Sequence, residues 1–79
     1  MIDLNLITVG TEVILDSKSR FNTGSDLQLP MRVVAIVTQV YKGKHVVVEW
    51  TNKYGHKQSN GYYAPDLNEV IQESDYEIN

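Results

Sequence analysis

The chain has 79 residues, 42% of them hydrophobic and 22% charged, with a formal net charge of −3 and no cysteine. That is room for one folded domain, and it excludes a disulfide framework or a thiolate zinc site as a supplement to the core. Met1 to Leu6 carries no basic stretch ahead of an apolar one, and the longest apolar run, Val33 to Val37, is five residues against the ~20 of a membrane span; a cytoplasmic chain with neither signal peptide nor membrane contact is expected.

No window shows a sustained apolar stripe at helical spacing, while β-branched and aromatic residues gather in short runs, so the chain reads as all-β. Glu12 to Asp16, following the turn residue Gly10, is the first strand. Ser17 to Met31 is a polar loop of unusual length, held down or made functional by the isolated apolar residues Phe21, Leu27 and Leu29. Arg32 to Val40, apolar at nearly every position, predicts a central strand covered on both faces. Tyr41 to Lys44 is a glycine turn, and His45 to Thr51 alternates cleanly, with Val46, Val48 and Trp50 on the core face.

A second turn at Asn52 to Gly55 leads into a fourth strand, Lys57 to Tyr63, in which Asn60-Gly61 is placed as a bulge or bend. Pro65 opens a short helical turn through Asp66 to Asn68, and Glu69 to Ile71 is the closing strand. The whole is one domain, 1–79, with its folded body over about 9–71. Residues 72–79, carrying Glu73, Asp75 and Glu77, form an acidic tail expected to fray.

This order of elements, with Gly61 to Leu67 leading into Val70-Ile71, resembles the SH3-like small-barrel superfamily, which includes KOW and Tudor-like modules, over roughly Val9 to Ile71. The resemblance implies a single small five-stranded barrel with one short helical turn before the last strand. A KOW module carries a glycine where this chain has Val34-Ala35-Ile36. The proline-peptide-binding SH3 group carries an acidic first loop and a tryptophan pair, where this chain has Lys18, Arg20, a single Asp26 and a lone Trp50. In size and stand-alone form the chain also resembles a bacteriophage-encoded accessory protein.

Catalytic chemistry finds little to work with. His45 and His56 are the only histidines and lack metal-ligand spacing; the serines lack a nucleophile elbow; the acids Glu12, Asp16, Asp66 and Glu69 fall at strand ends or turns, where solvated carboxylates are expected. The scattered glycines match no phosphate-binding loop, so no cofactor is implied. A non-enzymatic binding module is expected.

Charge is laid out in blocks. All seven Lys and Arg lie between Lys18 and Lys57, where only Asp26 and Glu49 oppose them; the flanks carry acids alone. Two readings follow. In the first, the chain is an adaptor or inhibitor of a larger protein, such as a nucleic-acid-processing machine. It binds through Phe21, Tyr54, Tyr62 and Tyr63, or through an acidic pole of Asp66, Glu69 and the tail. In the second, the two hairpin tips join into one basic pole, where Tyr41, Lys42, Lys44, Lys53, His56 and Lys57 contact nucleic acid directly. The sequence leaves homo-oligomerisation open.

Overall fold

The computed structural model describes residues 1–70. Five antiparallel strands, β1 (Glu12–Leu15), β2 (Ala35–Tyr41), β3 (His45–Thr51), β4 (Lys57–Tyr62) and β5 (Leu67–Glu69), form one sheet in the order β4-β3-β2-β1-β5. The only helical element among the described residues is a 3-10 turn, Ala64–Asp66, immediately before β5. The all-β reading and the order of elements therefore hold. Among these residues no ladder joins the outer strands β4 and β5.

Alternation in β3 is as expected: Val46, Val48 and Trp50 are buried, whereas His45, Val47 and Glu49 are partly exposed. β2 departs from its expected form. It starts at Ala35 rather than Arg32, and it is covered on one face: Ala35 and Val37 are buried while Ile36 is exposed. Its register against β3 slips between Val37 and Gln39, with Val37 opposite Val48 and Gln39 opposite Val47, so Thr38 is the extra residue of a β-bulge. The bulge switches the parity of the strand and returns Val40, opposite Val46, to the core side. The apolar run Val33 to Val37 lies ahead of the bulge and does not mark two buried faces: its outward members, Val34 and Ile36, are exposed.

The bulge expected at Asn60-Gly61 is absent, since β4 keeps an unbroken register on β3 from Lys57 opposite Thr51 to Tyr62 opposite Val46. Gly61 has a different use. A Cβ there would come within 3.4 Å of the His45 ring, which lies over it. The helical turn and last strand both sit two residues earlier than expected, because Pro65 falls inside the 3-10 turn and Leu67 already pairs with Leu15. Ile71 and the acidic tail lie outside the described residues.

Side chains from outside the sheet complete its core. Ile2 and Ile7 are buried in it, so the folded body begins ahead of Val9. The Ile2 amide donates to the Ala64 carbonyl (3.2 Å), and the terminal amine bonds the Asn68 side chain, fixing the first residues against the 3-10 turn and β5. Leu29 from the long loop is also fully buried. Its amide donates to the Tyr62 phenol oxygen at 2.7 Å, and that hydroxyl donates to Gln28 Oε1 at 2.8 Å.

Burial pushes the Tyr62 phenol above its ordinary pKa. The unfolded chain therefore gives up this proton first as pH rises, and the phenol's contribution to stability falls on the alkaline side. Replacing Tyr62 by Phe leaves the Leu29 amide buried without an acceptor. A loss of about 1–3 kcal/mol is expected in a urea melt, with the alkaline fall diminished.

Candidate functional site

The surface aromatics expected to form one patch fall into two groups. Tyr62 is entirely buried and serves the core, because consecutive residues of a strand point to opposite faces. Tyr63 points outward and is 46% exposed. Phe21 packs edge-on against Tyr62, with ring centroids 5.6 Å apart, whereas Tyr54 stands at the β3–β4 tip. A protein partner has access to Tyr54, Tyr63 and part of Phe21, but not to Tyr62.

Asp66 is likewise not a solvated acid. It is 5% exposed; its carboxylate accepts from the Ser19 hydroxyl at 2.8 Å and from the Tyr63 amide at 3.0 Å. Together with the Asp16 amide donating to the Asp66 carbonyl (2.8 Å), these bonds tie the start of the long loop to the 3-10 turn. Of the expected acidic pole, Glu69 is exposed at the end of β5, and the tail acids lie outside the described residues.

The hairpin tips do not form one basic pole. Successive antiparallel hairpins turn at opposite ends of the strand they share, so the β2–β3 tip (Tyr41 to His45) and the β3–β4 tip (Asn52 to His56) are separated by the length of β3, roughly 20 Å for seven residues. Lys53 and Lys57 are moreover paired with acids, Asp26 and Glu49, each at 3.5 Å. Both pairs are exposed and contribute little to stability. His56 sits in a turn organised by Asn52, whose Oδ1 accepts from the amides of Tyr54 (2.9 Å) and His56 (3.0 Å).

Beside this second tip the long loop and β3–β4 enclose a groove of about 590 Å³. Its walls are mainly apolar: Leu27, Leu29, Pro30, Met31 and Val33 from the loop face Trp50 and Tyr54. Leu27 is 70% exposed and Tyr54 65%. The loop is held at this distance by β4, whose Gln58 donates to the Asp26 carbonyl (3.1 Å) and whose Asn60 donates to that of Leu27 (3.3 Å). Trp50 is 4% exposed, yet its indole N–H has no acceptor, the one such buried side-chain group among the described residues. Between Met31 and Val33, Arg32 is held at φ 69°, a left-handed conformation costly for a side chain of its kind.

Tyr54 is common to the expected site and to this groove; Trp50, Leu27 and Met31 are additions to it. Trp50 reads from the sequence as core alone, and nothing in a sequence shows that an indole N–H lacks an acceptor. The cluster Leu27-Gln28-Leu29-Pro30-Met31 is a legible signal, since so many apolar residues in a polar loop need either a core or a ligand.

Among the described residues no three His, Cys, Asp or Glu side chains gather to hold a metal, and no helix is long and apolar enough to cross a membrane. Comparison with protein-family models, with curated proteins and with solved structures finds no match. The chemistry of the surface is therefore the only guide to function.

At the end of β1, Asp16 accepts from the Lys18 amide at 2.8 Å and from the Asn68 side chain at 2.9 Å; these two bonds, in that order, hold its carboxyl below the ordinary value. A carboxylate with a lowered folded-state pKa contributes stability that is present above the unfolded-state pKa and is lost as pH falls through the folded value. Asp16→Asn should therefore be less stable at neutral pH and lose less on acidification, read as urea midpoints across the acid range. Asp66→Ala, which frees both the Ser19 and the Tyr63 donor, should lose about 1.5–3 kcal/mol at neutral pH in the same assay.

Proposed function

We propose that the chain is a non-enzymatic, SH3-like binding module, an adaptor or inhibitor that docks a segment of a larger protein in the groove between its long loop and the β3–β4 hairpin. The observation that carries this reading is the groove itself, about 590 Å³ with walls of Leu27, Pro30, Met31, Trp50 and Tyr54, of which Leu27 is 70% and Tyr54 65% exposed. Such walls call for a large apolar side chain. A peptide segment offers one, with backbone polar groups beside it to meet the polar rim.

Two further features support this occupant. The groove is bordered by the Lys53–Asp26 ion pair and by the amides of Gln58 and Asn52, a polar rim around an apolar floor of the kind that frames protein–protein contacts. The strained Arg32 lies between two of its wall residues, Met31 and Val33, and backbone strain concentrates at sites that bind.

A random-peptide library selected against the folded chain tests the proposal. Peptides carrying a large apolar residue should be enriched, and their binding should shift the emission of Trp50, the chain's single tryptophan. Leu27→Asp and Met31→Asp, both at accessible positions, should weaken binding by about tenfold or more, the equivalent of one buried aliphatic side chain. A selection that enriches nothing over the doubly substituted chain, or enriches peptides that leave Trp50 emission unchanged, would sink the reading.

A further inference from the structure

At the other end of β3 the rings and cations form a continuous ladder. Tyr41 and His45 are stacked with centroids 4.7 Å apart and planes inclined by 23°; His45 meets the edge of Tyr63 at 6.3 Å. The Arg20 guanidinium then lies over both Tyr63 (5.5 Å) and Phe21 (4.9 Å). Lys42 and Lys44 follow Tyr41 in the turn of the hairpin, where Gly43 at φ 75° lets the chain reverse. Lys18 stands beside Arg20 in the cleft under Tyr63.

The charge around this ladder is unbalanced. Both ion pairs among the described residues involve Lys53 and Lys57, on the β3–β4 side; none involves Lys18, Arg20, Lys42 or Lys44, although the Asp16 carboxylate acts on Lys18 beyond ion-pair distance. Asp66, the acid that shares the cleft with Lys18 and Arg20, is buried, with its oxygens bonded to Ser19 and to the Tyr63 amide. Tyr41 and Tyr63 are each nearly half exposed, so π-faces and cations are presented side by side. Clefts of about 420 and 300 Å³ open on the two sides of Tyr63.

We propose that this ladder binds single-stranded nucleic acid, the bases stacking on Tyr41 and Tyr63 and the phosphates lying against Lys42, Lys44, Lys18 and Arg20. A chain of alternating flat rings and anions is the ligand that alternating rings and cations complement. A duplex hides its π-faces within its own stack and leaves the tyrosines without a role. The site is independent of the groove at the β3–β4 tip and uses only the β2–β3 half of the basic pole expected from the sequence.

Fluorescence anisotropy of labelled oligothymidylate and oligouridylate, titrated with the full chain from low to physiological salt, is the test. Binding to at least one is expected, and a preference between them identifies DNA or RNA as the ligand. Tyr41→Ala and Tyr63→Ala should each weaken it by about tenfold. Lys42→Glu combined with Lys44→Glu should make the log–log salt dependence shallower by about 0.7 for each phosphate that is no longer neutralised. Leu27→Asp, in the groove, should change nothing, and unchanged Trp50 emission certifies the fold of each variant. Absence of binding at low salt, indifference to the tyrosine and lysine variants, or tighter binding of a duplex of the same length would each overturn the proposal.

Discussion

Both surfaces of this domain depend on how a long, mostly polar loop is fixed to a small sheet, and the fixing point is the Tyr62 phenol. Its hydroxyl is acceptor to the Leu29 amide and donor to Gln28, and its ring meets Phe21 edge-on, so one side chain at the end of β4 holds both the beginning and the end of the loop. Without its hydroxyl, the Leu29 amide would be buried with no acceptor. Gln58 and Asn60, on the same face of β4, extend the effect by bonding loop carbonyls, which gives an outer strand polar partners it would otherwise find in water or in another chain. The groove exists because the loop is held by these polar bonds at a distance from Trp50 that apolar side chains only partly fill.

Strand parity then decides which chemistry appears where. Tyr62 faces inward, so Tyr63 faces outward and joins His45 and Tyr41, the neighbours that the β3–β4 and β2–β3 registers place beside it. The meander puts one hairpin tip at each end of β3, and the two tips differ in charge balance. At one, Asp26 and Glu49 occupy the lysines; at the other, the lysines adjoin stacked rings. A single run of basic sequence is thereby divided into a paired half and an unpaired half.

Much of the fold is legible in the sequence because it is written at short range. Alternation in His45 to Thr51, glycines at the two tips and a proline before the last strand each specify local geometry, and the strand order follows from them. What is not legible depends on partners distant in sequence. The Thr38 bulge shows only when β2 is set against β3, and the exposure of Val34 and Ile36 shows only when nothing is found to cover that face. Ile2 and Ile7, in a short segment of mixed apolar and polar residues, give no sign that they join the core, since the bonds that fix the start of the chain are to Ala64 and Asn68, far along the sequence. Asp66 reads as a turn acid until Ser19, 47 positions away, is found to donate to it. At the candidate sites the individual tyrosines and lysines are identifiable but their grouping is not, because grouping depends on which end of β3 each occupies.

The energetics of the groove separate it from the rest of the domain. An unsatisfied buried donor costs about 1–3 kcal/mol, and a left-handed non-glycine residue about 1–2 kcal/mol. For a domain whose total stability is of the order of 5–15 kcal/mol, both are substantial, and both occur beside one cavity, at Trp50 in its wall and at Arg32 between the wall residues Met31 and Val33. Elsewhere among the described residues the local rules are kept: Gly10, Gly24, Gly43 and Gly55 occupy the other left-handed positions, and the buried Tyr62 and Asp66 polar atoms are all bonded. Violations confined to one place are the pattern expected where a surface is shaped for an occupant.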